Sequence, residues 1–446
     1  MKYQSKEQVM DAIGRENVQF IRLQFTDTCG ALKAVTIPAS KMADAIDHNV
    51  WFDGSSIEGF TRICESDMFL KLDLSTFAII PWTVGNGIVV ARCICNVFLP
   101  DGQPFAGDPR HILATQIERA TRMGFDYYVG PELEFFLFEK GENGELMPLP
   151  HDTAGYFDQT SDKAAQIRKE IALALDKFGL DVEALHHEVA AAQHEIDFKY
   201  ADALSTADAT MTMKFTIKAI AEQHGLYGTF MPKPIAGING SGMHVHQSLF
   251  REDTPLFFDA NDPYKLSQVA KQFLAGQLAH IKAICAITNP LVNSYKRLVA
   301  GYEAPVYIAW GQKNRSTLIR VPRYTPGREK ATRFELRCPD PSTNPYLAFA
   351  VMLAAGLDGI ERQMEVPTAV EENLYELTVA EARAKGFDVL PQSLDESLGF
   401  LEKDTVIRGA LGEHTYNAFT RAKKSECEQY RVQVSEWEMD AYFGKY

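Results

Sequence analysis

Positive charge is in short supply in this sequence: 45 Lys and Arg stand against 59 Asp and Glu, a formal net charge of −14 at pH 7. General nucleic-acid binding rests on neutralising phosphates, so this balance argues against that class. It leaves room for a local basic pocket that takes a small anion. Cysteines number only 7, and none are spaced C-x-x-C. That pattern argues against a zinc or redox motif and against a disulfide framework. The opening segment MKYQSKEQVM lacks the apolar stretch of a signal peptide. The longest apolar-rich run, residues 348–357, is too short to span a bilayer. A Walker A pattern, the kinase catalytic-loop set and G-x-G-x-x-G are all missing, so any ATP chemistry must use other means. The expectation is a cytoplasmic protein with reduced thiols, no membrane and no direct nucleic-acid partner.

What is present is a large core. Phe 27, Tyr 17 and Trp 4, within a 46% hydrophobic composition, could not stay solvated. A length of 446 residues allows about two to four domains. Residues 4–14 read as a short amphipathic helix. Strands 18–26 and 31–37 follow, around the turn Asp27–Gly30. Residues 40–47 read as helix, 51–60 as a Gly/Ser loop, and strands resume over 68–98. Asp108 is a good N-cap, with Pro109 in the first helical turn. The domain division is therefore placed here: 1–105 and 106–446. The second part alternates helices (162–178, 208–223, 264–284, 344–362) with strands (127–138, 181–187, 194–200, 228–231, 242–250, 306–310, 316–320, 332–337). This predicts an α+β fold with a large, largely antiparallel sheet. The C-terminal 50 residues read as helical, the last long helix spanning about 416–443.

Four segments carry candidate chemistry. In VGPELEFFLF, Glu132 and Glu134 alternate with apolar residues, so they share one strand face. Two such carboxylates raise each other's pKa unless a cation or donors compensate. In HHEVAAAQHEIDF, Glu188 and Glu195 are flanked by His186, His187 and His194. They converge if the Ala-rich link lets the chain fold back, and carboxylates with an occasional imidazole suit Mg²⁺ or Mn²⁺. In GINGSGMHVHQSLF, glycines allow close backbone approach, and His244 and His246 share a face. The stretch 295–337 concentrates arginine, and in TRFELR residues 333, 335 and 337 share a face. An ion-pair ladder is the plain reading. Arginine forks also match carboxylate and phosphate, and with Mg²⁺ and a glycine-rich turn they are the equipment of phosphoryl transfer.

Together these segments resemble bacterial type I glutamine synthetase. The likeness runs in order through FDGSSIEGF, GPELEFFLF, HHEVAAAQHEIDF, FMPKPIAGINGSGMHVHQSLF, NSYKRLVAGYEAP, NRSTLIRVP and TRFELRCPDPSTNPYLA. The resemblance implies a small N-terminal β-grasp-like domain and a large catalytic domain with a curved sheet. It also implies a dodecamer of two hexameric rings with active sites between ring neighbours. One divalent cation would use Glu134, Glu188 and Glu195, and another Glu132, His244 and Glu335. ATP would sit near Glu183, Tyr200, His246, Ser248, Arg315, Arg320, Lys330 and Thr332. Glutamate would be held by Asn239, Gly240, Arg297, Glu303, Arg315 and Arg337. Ammonium would bind among Asp53 of a neighbouring subunit, Tyr156, Glu188 and Glu303.

The implied reaction joins ammonia to the glutamate side chain through a γ-glutamyl phosphate. Arg315 and Arg337 would offset transition-state charge, Asp53 would accept the ammonium proton, and Glu303 would ride on a flap. The spacing between Glu134 and Glu188 matches the short form typical of Gram-positive bacteria. In that form feedback by glutamine and a nitrogen-regulatory repressor partner are expected, with Arg62 at a feedback position. Residues 190–192 are Ala-Ala-Ala where relatives often have Pro-Gly. Tyr375 resembles a modified tyrosine of the longer form, but an unmodified surface tyrosine is the plainer reading. The C-terminal helix is expected to dock into the opposite ring. Two alternatives are a ligase for a polyamine or other amine, and a non-catalytic scaffold on the same fold. The presence of Asp53, Tyr156 and Glu303 favours ammonia over the first. The complete set of metal ligands speaks against the second.

Overall fold

The structure is a computed structural model that describes residues 3–55, 57, 59, 67–302, 304–314, 316–372, 374 and 379–446. Arg62, Glu303, Arg315 and Tyr375, together with Cys64, lie outside the described residues. The six described cysteines are free.

Two sheets organise the chain. In the first, the strand order is Leu32–Pro38, Val18–Thr26, Val89–Phe98, Asp67–Leu72, Val50–Asp53. Val18–Thr26 pairs with Val89–Phe98 in parallel, and the neighbouring pairs are antiparallel. The apolar residues of these strands meet Val9, Ala12 and Ile13 of helix Lys6–Arg15 in one hydrophobic cluster. The expected loop at 51–60 begins instead as an edge strand, Val50–Asp53. The Gly/Ser content of the segment hid an aromatic, β-branched start that pairs well. Val50, Trp51 and Phe52 lie opposite Leu70, Phe69 and Met68.

The second sheet has eleven strands. Its main path is Tyr307–Gly311, Thr317–Arg320, Phe334–Leu336, Met243–Arg251, Asp126–Lys140, Gln193–Phe198, Val182–His187. All its pairings are antiparallel except that of Tyr307–Gly311 with Thr317–Arg320. Helices Gln268–Thr288 and Pro345–Glu361 are buried along most of their length and, with the sheet's inner face, form the main core. Gly276 and Gly359 let these two helices touch backbone to backbone: a Cβ on Gly276 would lie 2.1 Å from the Ala355 carbonyl oxygen.

Asp108 caps helix Pro109–Arg122 through the Arg110 amide, with Pro109 in the first turn. Arg110 then ties the first sheet to helix Ala203–Gln223. It donates to both oxygens of Asp208 at 3.0 and 2.9 Å, to Asn96 at 2.7 Å and to Asp73 at 2.7 Å. The C-terminal region is helical, in three pieces rather than one long last helix. Thr405–Arg431 is broken at Gly412, whose φ of 74° leaves the helical region. A capping box at Ser435 and Glu438 starts the short helix Glu436–Tyr442.

Candidate active site

Strand register builds the site. On an antiparallel pair, residues directly opposite each other share a face. Glu195 lies opposite Glu134, and Asp197 opposite Glu132. On the other side His244 lies opposite Glu132. One strand further on, His246 lies opposite Glu335, and Glu335 opposite Arg320. Five carboxylates and two imidazoles, drawn from four strands, therefore line one patch of the second sheet.

The polar bonds fall into two groups. Around Glu335, His244 Nδ1 is 3.4 Å from Glu335 Oε1 and 3.1 Å from Glu132 Oε2. His246 Nε2 meets Glu132 Oε1 at 2.7 Å, and Arg333 Nε donates to His246 Nδ1 at 3.1 Å. An acceptor Nδ1 puts the His246 proton on Nε2, facing Glu132. Arg320 and Arg337 donate to Glu335 at 2.7 and 3.0 Å. Burial works against ionisation of Glu132 and Glu335, yet the histidine bonds on the first and the charges of His244, His246 and Arg337 on the second hold both below the usual carboxylate range.

The second group gathers on the hairpin Val182–His187 to Gln193–Phe198. His186 Nδ1 is 3.4 Å from Glu188 Oε1, and His186 Nε2 is 3.8 Å from Glu195 Oε1. Glu134 Oε2 accepts from Gln193 Nε2 at 2.8 Å and from the Gly242 amide at 2.9 Å. Burial, then the charge of Glu134, pushes Glu195 up to about 12. Burial, then Glu188, pushes Glu134 up to about 8. Asp197 is raised to about 6 by burial and Glu132, and its Oδ1 is buried without a hydrogen-bond partner.

A divalent cation fits this donor set. Among the described residues, two groupings on this patch have ligand atoms within 4.8 Å of one another: Glu132–His244–Glu335 and His186–Glu188–Glu195. At Glu134 and Glu195, crowding and burial raise the pKa, which a cation would relieve, and in both groupings oxygens with an occasional imidazole suit a hard ion. A third grouping, Asp152–His187–His194, does not fit. His187 uses one nitrogen on the Glu188 carbonyl at 2.7 Å and the other on Asp152 at 2.9 Å. The Arg168 guanidinium sits 2.9 Å from His194 Nδ1. With His187 already bonded at both nitrogens and a fixed cation alongside, this group braces the hairpin instead. Asp152 also accepts from the amides of Ala192 and Lys163. Burial opposes its charge, but His187 brings it down to about 2.

The other expected residues are placed as follows. Ser248 is buried on Met243–Arg251, opposite Tyr128. Tyr200 packs its ring edge-on to Tyr128 and stays partly exposed, and Glu183 is exposed on Val182–His187. Thr332 is buried with its hydroxyl unpartnered, while Lys330 points outward, 3.8 Å from Asp253. Arg297 is buried and donates to the carbonyls of Cys338, Pro339 and Arg337, so it braces the segment after Glu335. Gly242 makes room for it: a Cβ there would lie 2.5 Å from Arg297 Nη2. Gly240 is likewise required, since a Cβ would lie 2.1 Å from the Pro232 carbonyl oxygen. Asn239 is half-buried beside it. Tyr156 stacks on Phe157 and meets His186 edge-on at 5.6 Å. Asp53 lies elsewhere, exposed on the edge strand of the first sheet.

Sequence reasoning missed several contributors. Asp197 follows Glu195 in the same alternation that marked Glu132 and Glu134, so it was findable. Gln193, Asp152 and the bond from Arg333 to His246 needed the fold.

A family model described as "Glutamine synthetase, catalytic domain" matches residues 106–442, and one described as "Glutamine synthetase, beta-Grasp domain" matches residues 17–100. The chain is 53% identical over 446 residues to a glutamine synthetase of Thermus thermophilus, covering 99% of both chains. It is 50% identical over 444 residues to one of Staphylococcus aureus, again covering 99% of both. A solved structure described as a GmaS/ADP complex superposes with TM-score 0.88 at 32% identity, covering 98% of this chain and 99% of that one. The cryo-EM structure of Plasmodium falciparum glutamine synthetase gives TM-score 0.87 at 25% identity, with 99% of each chain covered.

Proposed function

The chain belongs to the glutamine synthetase family, and from that premise we propose how its residues divide the work of ATP-dependent glutamine formation. It is a glutamate–ammonia ligase with small-molecule substrates, in a family that uses ATP and divalent metals. Glutamine synthetases as relatives along the full chain support ammonia, and not a polyamine, as the acceptor.

The observation that carries the residue assignment is the register-built row of Glu195, Glu134, Asp197, Glu132 and His244, with Glu335 held between Arg320 and Arg337. Glu134, Glu188 and Glu195, with His186, would hold one Mg²⁺ or Mn²⁺, and Glu132, His244 and Glu335 another. Bound there, the ions would screen the negative charge of the phosphates and of the glutamate carboxylate. ATP lies along His246, Ser248, Arg320 and Thr332, with Glu183, Tyr200 and Lys330 at the rim. The ADP of the similar GmaS structure supports a nucleotide site in this fold. Glutamate is held by Asn239, Gly240 and Arg337, with charge from Arg297.

A glutamate side-chain oxygen attacks the γ-phosphorus, the bond to the ADP oxygen breaks, and an acyl phosphate forms. Arg337 and Arg315 would offset the charge on the transferring group. Water has to be kept from the acyl phosphate, a task assigned to the Glu303 segment. Ammonium, held near Tyr156, Glu188 and Glu303, gives a proton to Asp53. Ammonia then attacks the acyl carbon and phosphate leaves.

Asp53 completes the site from a ring neighbour, which the exposed edge strand supports. A double-ring dodecamer is proposed on the same basis, with the division 1–105 and 106–446, a cytoplasmic location, feedback through Arg62 and a repressor partner. No helix among the described residues is long and apolar enough to cross a membrane. Asp53→Ala tests the assignment. Glutamate-dependent ADP release, read with hydroxylamine trapping of the acyl phosphate, is expected to survive far better than glutamine formation. Equal loss of both would argue against Asp53 as proton acceptor.

A further inference from the structure

Lys233 has no part in the chemistry above, yet it is only 8% exposed. Lysine is seldom that buried without a carboxylate partner. Its backbone is pinned on both sides by Asn293: the Lys233 amide donates to Asn293 Oδ1 at 2.8 Å, and Asn293 Nδ2 donates to the Lys233 carbonyl at 3.0 Å. Its ammonium donates to the Ile238 carbonyl and lies 3.9 Å from the centre of the Tyr302 ring. Burial, then the charge of Arg297, lowers its pKa. Among the described residues, a π face and a carbonyl thus take the place of a counter-ion.

The two groups it touches belong to different loops. Ile238 immediately precedes Asn239 and Gly240, and Tyr302 immediately precedes Glu303. Gly240 packs against the Lys233 side chain, since a Cβ there would lie 3.3 Å from Lys233 Cδ. We propose that Lys233 is a positioning residue: its ammonium clasps the Tyr302 ring to the Ile238 carbonyl, so that the loop holding glutamate and the segment leading to Glu303 keep a fixed relation. This rests on the reading above that these two loops serve glutamate binding and protection of the acyl phosphate.

The clasp predicts a defect in coupling as well as in binding. Lys233→Met keeps the apolar stem and removes the charge. KM for glutamate is expected to rise roughly five- to thirtyfold, the range that loss of a desolvated cation–π contact sets. KM for ATP should hardly move, and phosphate released per glutamine should climb above one as the acyl phosphate meets water. A lesion that only loosens the fold would not change that ratio selectively. Lys233→Arg and Tyr302→Phe retain a cation and a ring, so both should behave nearly as wild type. Tyr302→Leu should copy Lys233→Met, and the double variant should be little worse than either. If Lys233→Met fails to fold, the Tyr302→Phe and Tyr302→Leu pair still decides the matter. Wild-type KM and phosphate ratio in Lys233→Met or Tyr302→Leu would overturn the clasp, as would equal damage from Phe and Leu at 302. Glu303→Gln separates the two levels. If it leaves coupling intact, the reading of that segment fails; if it uncouples while Tyr302→Leu does not, the clasp alone fails.

Discussion

Replacing Glu195 by glutamine is expected to stabilise the cation-free protein and to remove the gain that a cation at the Glu134, Glu188 and Glu195 site gives, leaving the site of Glu132, His244 and Glu335 in place. Glu195 is held with Glu134, Asp197, Glu132 and Glu188, and burial with these charges pushes its pKa up to about 12. Its ordinary value is 4.5, so without a cation the folded protein keeps a proton there that the unfolded chain releases. The sign follows: a raised folded pKa gives full stability below pH 4.5, and that stability drains away as pH rises toward the folded pKa. At pH 7, which is 2.5 units above 4.5, the loss is about 3 kcal/mol at 1.36 kcal/mol per unit. The result does not depend on how far above pH 7 the folded pKa lies. Glutamine is neutral in both states, so the variant escapes this slope. Between pH 5 and pH 8 the variant's advantage in EDTA should widen by roughly 4 kcal/mol. With Mn²⁺ at a hundred times its dissociation constant, the wild type should gain about 2.7 kcal/mol that the variant lacks. Urea unfolding at several pH values, with EDTA or Mn²⁺, measures both. Parallel pH profiles for the two proteins in EDTA would refute the electrostatic account of this patch.

Three further outcomes are expected. Ala192, buried at the hairpin tip, has φ +61°. Ala192→Gly should relieve about 1–2 kcal/mol of left-handed strain against an unfolded-state entropy cost of about 0.4–1 kcal/mol, a net gain between zero and about 1.6 kcal/mol in urea unfolding; a clear loss would mean that Ala192 is not strained. His280 bridges Asp404 at 2.6 Å and Asp358 at 3.0 Å, and although burial opposes the charge, these bonds raise its pKa. The bridge therefore stabilises fully below the ordinary value of 6.5 and weakens as pH climbs through the raised one, so His280→Gln should lose more stability at pH 6 than at pH 9, with equal losses refuting it. Val432, Val434, Trp437 and Phe443 are all largely exposed on one chain. If the chain forms the proposed double ring, truncation after residue 430 should prevent its assembly, and light scattering showing an intact dodecamer would sink that role for the tail.

Much of the site was legible because strands write their faces into the sequence. Glu132 and Glu134, His244 and His246, and Arg333, Glu335 and Arg337 each declare a shared face by spacing of two. The fold-back of the segment between Glu188 and Glu195 was an inference from a short link, and the hairpin supplies it. What spacing cannot convey is which strand lies beside which. Asp197 facing Glu132, and His246 facing Glu335, are properties of sheet order. The same is true of Lys233, whose partners are 5 and 69 residues away. The edge strand Val50–Asp53 was lost because four residues of pairing signal precede a glycine and two serines. Kinship carried Asp53 into the argument; nothing local to that residue speaks of proton transfer.

Arg110, on helix Pro109–Arg122, ties the small sheet at Asn96 and the adjoining Asp73 to helix Ala203–Gln223 at Asp208. Without this guanidinium, two carboxylates would be left side by side in the contact, so the packing of the small sheet against the helix depends on one buried cation, and its loss would loosen that contact before either sheet.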